Sequence, residues 1–267
     1  VGPPPIAKQF LFRSPPESLE LLTAAGIDVV GMANNHAWDH GGRGAAATRA
    51  HVDASPLVGA GVGPDPATAY APAYLEVGGR VVGIVSVTRV PCDWSTDQAA
   101  ERPEVAWACD RFAVPTAWTI ATAVDGSDVT VVLLHGGTEM TDCPDDRLRE
   151  VIDVWVSLGV DVVAISHPHV LQGVEIVDGA AVLWSTGNFA FGNRGGRTGR
   201  SAIFEVTFGD RVEQIRLRPT VLPGGVAAPA TVQEAALVRQ EVSDRSVGGR
   251  LDEAGVLVAD PAPSICD

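Results

Sequence analysis

Three apolar segments of this sequence each run directly into a polar turn that carries histidine, and this design constrains the fold more than any other feature. The segments are "VVGMANNHAWDHGG", "VVLLHGGTE" and "VVAISHPHV". Continuous runs of Val, Ile and Leu are typical of strands that are covered on both faces of a sheet. In α/β folds the carboxyl ends of neighbouring strands face one crevice, where ligands bind. The pattern therefore predicts a buried sheet with a histidine-lined pocket at one edge.

Amphipathic helices alternate with these strands, and hairpins flank them. Helices are predicted for "PPESLELLTAAG", "GGRGAAATRAHVDAS", "PTAWTIATAVDG" and "PDDRLREVIDVWVSLG". Hairpins are predicted for "AYLEVGGRVVGIVSVT", "GVEIVDGAAVLWSTGNF" and "SAIFEVTFGDRVEQIRLRPTVL". The segment from Pro91 to Ala113 is predicted to be irregular and to lie near the site, and the segment from about Thr231 to be a helix and then a loop. This order of elements predicts a layered α/β fold with a mixed sheet or two packed sheets.

Composition and charge limit the classes of partner. The 267 residues carry a formal net charge of −14, which disfavours nonspecific binding to nucleic acid or anionic lipid, since both need basic patches. Lys8 is the only lysine, which argues against a P-loop and against a lysine Schiff base. No apolar run reaches the roughly 18 residues that a membrane span needs. Four widely spaced cysteines leave disulfides and free thiols equally open, and the redox compartment with them.

The polar residues at the strand ends have the chemistry of a metal site. Those predicted to meet in one pocket are Asn35, His36, Asp39, His40, His135, Glu139, His167 and His169. Imidazole nitrogen, carboxylate and amide oxygen suit zinc, manganese or iron. Two such ions about 3.5–4 Å apart would polarise a phosphoryl or carbonyl group and supply a hydroxide nucleophile.

Each of these segments also has a purely structural interpretation. A histidine after a strand can be a hydrogen-bonded structural residue, and Asn34 and Asn35 can be turn residues. Asp39 can be the N-cap of the helix that follows it. His51 lies within a predicted helix, and we interpret it as structural. The metal interpretation rests on the recurrence of one design in three segments.

The loop "STGNFAFGNRGGRTGR" is a candidate anion site. Asn188 follows a strand, and glycines separate Arg194, Arg197 and Arg200. Guanidinium groups and backbone amides could hold a substrate anion. The alternative is a surface loop whose arginines are solvated.

The ordered motifs "GMANNHAWDHG", "HGGTE", "SHPHVLQGVEI" and "WSTGNFAFGN" resemble those of the bacterial CapA family, the poly-γ-glutamate capsule synthesis proteins. The resemblance runs from about Phe10 to Leu222. It implies a four-layer α/β/β/α sandwich with mixed sheets, similar to the calcineurin-like metallophosphoesterases. We predict one such domain over residues 1–230, with a helix and tail over 231–267 packed on it. The compartment is unknown from the residues, and the resemblance implies an extracytoplasmic or cell-surface location.

The resemblance also implies roles for individual residues. By analogy, Asn35, His135, His167 and His169 would be ligands of one or two Mn, Zn or Fe ions. His36 would act near the leaving group. We predict the remaining members of the site as follows: Asp39 and Glu139 as catalytic residues with His36, and Asn188, Arg194 and Arg197 as substrate-binding residues.

The sequence departs from the family pattern at several points. The family's Gly-Asp motif on a first strand and its Asn-Leu-Glu motif would both precede Val1. The chain begins without methionine in a proline-rich stretch, and we expect a fragment or processed chain whose first strand, and any signal peptide or anchor, lie upstream. The metal site would then be incomplete in this chain. Gly136 stands where the family has tryptophan, and Ser166 stands where it usually has glycine.

Three functions fit these residues. The first is a CapA-like metal-dependent hydrolase that acts on an anionic polymer or peptide of the capsule or cell envelope, with metal-activated water as nucleophile. The second is a metal-independent peptide-modifying enzyme, such as an epimerase, that uses the same histidines and carboxylates as an acid–base pair. The third is a non-catalytic protein that binds poly-γ-glutamate or belongs to a capsule synthase complex.

Overall fold

The computed structural model describes residues 8–90, 102, 104–192 and 195–267. The first part of the segment predicted to be irregular, from Pro91 onward, lies largely outside these residues. The chain forms two compact units, Val1–His135 and Gly136–Asp267. Both units mix helices with strands, which confirms the predicted mixed α/β class. The four-layer arrangement and the domain boundaries at residues 1–230 and 231–267 stay predictions. Within the described part of the chain, no helix has the length and apolar character that crossing a bilayer requires.

The first unit contains parallel and antiparallel strand pairs. Its helices are α1 (Ser18–Ala24), α2 (Gly41–Asp53), α3 (Pro66–Tyr70) and α4 (Ala113–Asp125), and its strands are β1 (Val29–Gly31), β2 (Val58–Ala60), β3 (Ala73–Val77), β4 (Arg80–Thr88) and β5 (Val129–His135). Strand β1 pairs with β2 in parallel. Strand β4 lies between β3, which is antiparallel to it, and β5, which is parallel. The register places Thr88 beside His135, so both strands end at the same level.

The core of the first unit forms around the segment that precedes the first histidine turn. Its buried members are Met32, Ala33, Ala45, Val52, Leu57, Val62, Val105, Trp107 and Cys109. They come from the end of β1, from α2, from the neighbourhood of β2 and from the segment before α4. Because Met32 and Ala33 are buried, the residues that follow them enter the turn from a fixed position. Burial of each large apolar side chain of this kind contributes about 1.5–3 kcal/mol.

The second unit consists of a short parallel pair, antiparallel hairpins and two long helices. Its helices are α5 (Asp146–Ser157) and α6 (Val232–Arg245), and its strands are β6 (Val162–Ser166), β7 (Val174–Val177), β8 (Ala180–Leu183), β9 (Arg200–Phe208), β10 (Val212–Val221), β11 (Ala228–Pro229), β12 (Gly249–Leu251) and β13 (Leu257–Ala259). Strand β8 lies between β6, parallel to it, and β7, antiparallel. Strands β9, β10 and β11 form an antiparallel sheet.

The two long helices of the second unit have side-chain caps that their sequences encode. The Asp145 side chain accepts the Leu148 amide at 2.8 Å and starts α5. Thr231 and Glu234 form a reciprocal capping box at the start of α6. Such caps are each worth about 1 kcal/mol because they satisfy amides that the first turn leaves unpaired.

The cysteine spacing left open whether the cysteines form disulfides or stay free thiols, and the structure answers this for Cys143 and Cys266. Cys143 and Cys266 are joined, 123 residues apart in sequence. The segment around Cys266 lies against the second unit, where its carbonyl accepts a hydrogen bond from Arg149 of α5 at 3.4 Å. The chain after α6 is not the loop that the sequence predicted, because it contains the antiparallel pair β12 and β13.

The chain before β7 packs so closely against the end of α6 that position 173 has no room for a side chain. A Cβ atom at this position would overlap the carbonyl oxygen of Arg245 and lie 2.9 Å from Cα of Ser246. Because both are backbone atoms, neither can rotate away. We expect Gly173→Ala to lower the free energy of unfolding by about 1–3 kcal/mol, as overpacking does, measured by urea denaturation.

Gly195→Ala is the matched control. Nothing lies within 4 Å of a Cβ atom at Gly195, and its φ of −98° suits alanine. Equal stability of the two variants would contradict the packing argument.

Candidate metal centre

The turn after β6 places two imidazoles on an unusual backbone. His167 has φ 106° and His169 has φ 61°, in the left-handed region that non-glycine residues rarely adopt and that costs about 1–3 kcal/mol each. Pro168 lies between them. Backbone hydrogen bonds hold the turn from outside, since the Gly136 amide donates to the Ser166 carbonyl and the Met140 amide donates to the Pro168 carbonyl, both at 2.9 Å.

Glu139, His167 and His169 can act as ligands of one ion. One donor atom of each lies within 4.8 Å of the others, and Glu139 Oε1 lies 3.9 Å from His167 Nε2. Ligands of a tetrahedral zinc ion are about 3.4 Å apart for bonds of about 2.1 Å. The side chain of His167 is 6% exposed and that of Glu139 is 56% exposed, so the carboxylate can move inward while the imidazole stays fixed. The donor set fits zinc, manganese or iron.

Asn188 orients the His169 ring. Its amide nitrogen donates to the carbonyls of His169 at 3.3 Å and Thr198 at 3.1 Å. Its Oδ1 therefore faces His169 Nδ1, 2.7 Å away, and accepts a hydrogen bond from it. This leaves Nε2 as the unprotonated ligand atom, which is how second-sphere partners of metal-bound histidines act. The Phe191 ring stacks on the imidazole at a centroid distance of 4.9 Å.

A second group of predicted site residues lies in the first unit. His135 ends β5, and its Nε2 lies 3.1 Å from Asn35 Oδ1. With hydrogen on Nε2 this contact is a hydrogen bond, and with hydrogen on Nδ1 both atoms can face one ion. Asn34 serves as a turn residue, because its Oδ1 accepts the His36 amide at 2.7 Å. The structural interpretation of Asn34 is thus correct, and Asn35 has a different contact.

His36 and Asp39 form a pair beside the only lysine. His36 Nδ1 lies 2.8 Å from the buried Asp39 Oδ2 and 3.0 Å from Lys8 Nζ. It donates to the carboxylate when it carries hydrogen and accepts from the ammonium group when it does not. Lys8 donates to Asp39 Oδ1 at 2.7 Å and to the Asn35 carbonyl at 2.6 Å. The Phe12 amide donates to Asp39 Oδ2 at 2.8 Å, and the Phe12 ring meets the imidazole edge-on at 4.4 Å.

These contacts keep Asp39 ionised and exclude its alternative role as an N-cap. The N-cap residue of α2 is His40, and it makes no side-chain cap. Burial alone would raise the pKa of Asp39, but hydrogen bonds from Lys8, Phe12 and His36 outweigh it and lower this pKa below its ordinary value. Asp39 therefore acts on His36 as a carboxylate.

The arginines of the candidate anion loop have ion-pair partners where they are described. Arg197 pairs with Asp142 and Glu241, and Arg200 pairs with Glu241. The interpretation of these two as solvated loop arginines is therefore wrong. Arg194 lies outside the described residues. Substrate contact by Asn188, Arg194 and Arg197 stays a prediction.

The residues predicted to share one pocket fall into two groups, one in each unit. Asn35, His36, Asp39, His40 and His135 belong to the first unit, and Glu139, His167 and His169 belong to the second. In the first unit His36 contacts Asp39 and Asn35 contacts His135, and in the second Glu139 lies beside His167. That all of them line one pocket stays a prediction.

Sequence reasoning missed three contacts of the candidate site. Lys8, Phe12 and Phe191 all touch a predicted histidine or its partner. The only available signal was that Lys8 is unique in the chain, a fact that by itself serves only to exclude functions. Neither aromatic residue belongs to a spacing pattern that indicates a site.

Comparison with known proteins places these residues in context. The family described as "Bacterial capsule synthesis protein PGA_cap" matches residues 2–193. The chain is 30% identical to the PGA biosynthesis protein CapA of Bacillus subtilis (strain 168), over 74% of this chain and 51% of that protein. It is 25% identical to the capsule biosynthesis protein CapA of Bacillus anthracis, over 87% of this chain and 57% of that protein. The chain thus spans about half the length of these relatives.

One solved structure is also similar to this chain. It is a crystal structure of a hypothetical protein from Thermus thermophilus, with a TM-score of 0.44 and 17% sequence identity. The similarity covers 79% of this chain and 77% of that one.

Removing the Asn188 amide should weaken metal binding. We expect Asn188→Ala to lower affinity for zinc or manganese by about 10–100-fold, because His169 loses the acceptor that orients its ring. Isothermal titration calorimetry of the full-length protein measures this. Gln214→Ala, which removes an amide from β10, is the control, and equal affinity of the two variants would contradict the proposed role of Asn188.

The environment of Asp39 makes a prediction for acid stability. Its lowered pKa gives stability that is present above the unfolded-state pKa of about 3.9 and is lost as the pH falls through the folded-state value. Lys8→Met removes a hydrogen bond that lowers the pKa of Asp39, so the loss should be complete at a higher pH and be smaller in total. Carboxyl chemical shifts and unfolding curves, recorded from about pH 6 downward through the acid transition, would measure this.

Arg13→Met removes an exposed cation nearby in sequence and is the control for that change. The same displaced acid transition in both variants would mean that net charge, and not the Lys8 contact, sets the pKa of Asp39.

Proposed function

From the premise that the chain belongs to the bacterial capsule synthesis protein family PGA_cap, we propose that it is the metal-dependent hydrolase portion of a CapA-like protein of capsule or poly-γ-glutamate biosynthesis. The names of its curated relatives support the biosynthetic role. The family resemblance inferred from the four motifs is confirmed by the match over residues 2–193. The reaction and the metal are the finer parts of this proposal.

The observation that carries the proposal is the cluster of Glu139, His167 and His169, with Asn188 behind it. Its donor atoms lie within 4.8 Å of one another, and its imidazoles occupy a left-handed turn. Strained backbone of this kind persists where the surrounding structure enforces it and is common at functional sites. An oriented imidazole beside an exposed carboxylate is an arrangement that suits a divalent ion.

A bound divalent ion would supply a Lewis acid and lower the pKa of a coordinated water to near neutrality. Asn35, His135, His167, His169 and Glu139 are the residues that we propose to hold ions. Their neutral imidazoles and one carboxylate match the donors of hydrolytic metal sites. Positive ions would also offset the net charge of −14 where an anionic substrate approaches.

His36 is the residue that we propose to move a proton. Its Nδ1 lies 2.8 Å from Asp39 Oδ2, and in this proposal the protonated ring keeps that contact while Nε2 donates to the leaving group. The bond that breaks is the P–O bond of a phosphoester or the C–N bond of an amide, and the proton from Nε2 neutralises the departing oxygen or nitrogen. The arrangement resembles the orienting role of an aspartate behind a catalytic histidine in general acid–base catalysis.

We propose an extracytoplasmic location and an anionic polymer or peptide as substrate. The disulfide between Cys143 and Cys266 supports the location, because disulfides persist in oxidising compartments and are rare in the cytosol. Association with a capsule synthase complex is part of the same proposal, and the names of the relatives are its only support.

Variants of two histidines should separate metal binding from proton transfer. We expect His167→Ala to abolish tight binding of zinc or manganese, since it removes the most buried ligand of the cluster. We expect His36→Gln to keep the metal and lower kcat by about 10²–10⁴-fold, the usual contribution of a general acid. Metal analysis of the purified full-length protein and turnover of a phosphodiester and a γ-glutamyl peptide measure both.

His51→Gln is the control, because His51 lies in the last turn of α2 and is outside both groups. Full-length protein that binds no divalent ion and hydrolyses neither substrate would refute the hydrolase proposal.

A further inference from the structure

The position of the Glu139 carboxylate depends on how the backbone that carries it is held. Its side chain is 56% exposed, so packing does not fix it. The backbone beside it is strained, because Gly137 has φ 91° and Met140 has φ 62°. For methionine this conformation costs about 1–3 kcal/mol and persists only under restraint from outside. Contacts with other parts of the second unit must therefore hold the segment from Gly136 to Cys143 in place.

Part of the restraint comes from the histidine turn itself. Met140 donates its amide to the Pro168 carbonyl at 2.9 Å. The side chain of Gln172, which is 1% exposed, donates to the Thr141 carbonyl at 3.1 Å. These bonds tie the segment to the residues that carry His167 and His169.

The rest of the restraint comes from a group that we call the α6 clamp: Asp142, Cys143, Arg197, Arg245 and Cys266. The Asp142 carboxylate accepts hydrogen bonds from both guanidinium groups, with Arg245 Nε at 3.0 Å. The next residue, Cys143, is bonded to Cys266. Two adjacent residues of the Glu139 segment are thus fixed, one by charge and one covalently.

The anchors of the clamp are themselves held in place. The side chain of Arg245 is 10% exposed and donates to the Glu241 carbonyl at 3.0 Å within α6. Next to Cys266, the Ile265 amide donates to the Asp244 carbonyl at 2.9 Å. Both attachments therefore lead to the carboxyl end of α6, which does not belong to the metal cluster.

The clamp also reaches the other side of the cluster. Arg197 pairs with Asp142, and the next residue, Thr198, accepts a hydrogen bond from Asn188 at 3.1 Å. Asn188 in turn orients His169. One carboxylate thus joins the segment that presents Glu139 to the segment that orients His169.

We propose that Asp142 is a positioning residue for the metal centre, and that the Cys143–Cys266 disulfide makes the metal affinity of this centre sensitive to the redox environment. The inference rests on the proposed function, since it names the regulation of the same site. Asp142 touches no reacting atom. It acts by holding the backbone that presents Glu139, and its removal leaves Arg197 and Arg245 as like charges that no longer share this counter-ion.

The redox step is thiol–disulfide exchange. A dithiol reductant attacks the disulfide through its thiolate, forms a mixed disulfide and then closes to its own cyclic disulfide. Cys143 and Cys266 each gain one electron and one proton, and the two reductant sulfurs lose them. The released Cys143 removes the covalent half of the clamp, while the ion pairs of Asp142 remain.

The test compares Asp142→Asn with the wild-type protein in its full-length form. Zinc and manganese affinities are measured by calorimetry, before and after treatment with a dithiol. We expect Asp142→Asn to weaken binding about tenfold, the lower range for second-sphere changes, and reduction to weaken it further in both proteins. The control is Glu205→Gln, which removes an exposed ion pair with Arg218 on the β9–β10 sheet and should leave affinity unchanged.

Hydrogen exchange of the metal-free protein gives the second readout. Amides of residues 137–142 should exchange faster in Asp142→Asn and in the reduced wild type than in Glu205→Gln, with the rest of the second unit unchanged. A global rise in exchange would indicate general destabilisation and overturn the positioning role. So would Asp142→Asn protein that binds metal as tightly as the control.

The outcomes also distinguish this inference from the function on which it rests. If the wild-type protein binds no metal, the proposed function fails, and faster exchange confined to residues 137–142 would still support the clamp. If the wild-type protein binds metal and reduction leaves its affinity unchanged, the function stands and the redox sensitivity is refuted.

Discussion

The hydrogen bonds that hold the turn at His167 and His169 are the constraint on which the second unit's candidate site depends. Two non-glycine residues with positive φ are an unfavourable local conformation. It persists because the Gly136 and Met140 amides donate to the turn. Those bonds are part of what places Glu139, since it lies between the two donors in sequence. The same contacts that compensate for the strain thus help to bring Glu139, the third proposed ligand, to the imidazoles.

The sequence predicted most of the fold because its signals are local. Strand β5 is indicated by an apolar run and helix α5 by an amphipathic period, and the helix predicted from about Thr231 corresponds to α6. The pair β12 and β13 escaped prediction because each strand has only three residues, too few for an alternation to be seen. Helix α3 also escaped prediction, because its five residues are too few to show a helical period. Asp65 and Pro66 nevertheless form a recognisable helix start.

For the candidate site, residue types were predictable and their partners were not. Strand ends identified the histidines, because that placement follows from fold class. That Asp39 bonds to Lys8, 31 residues away, depends on tertiary contacts that no local pattern encodes. Arg197 illustrates the same limit, because glycine-spaced arginines suggest a free cationic loop, and only the structure reveals the acidic partners Asp142 and Glu241.

The sequence separation of the Cys143–Cys266 bond has a consequence for how the protein matures. The two cysteines are 123 residues apart, so a ribosome must make most of the second unit before the partner of Cys143 exists. Until then the nascent chain can fold β6 and its turn but cannot lock the Glu139 segment covalently. If the proposed site binds an ion, the segment that carries Glu139 would be fully restrained only after Cys266 has been synthesised and the disulfide has formed.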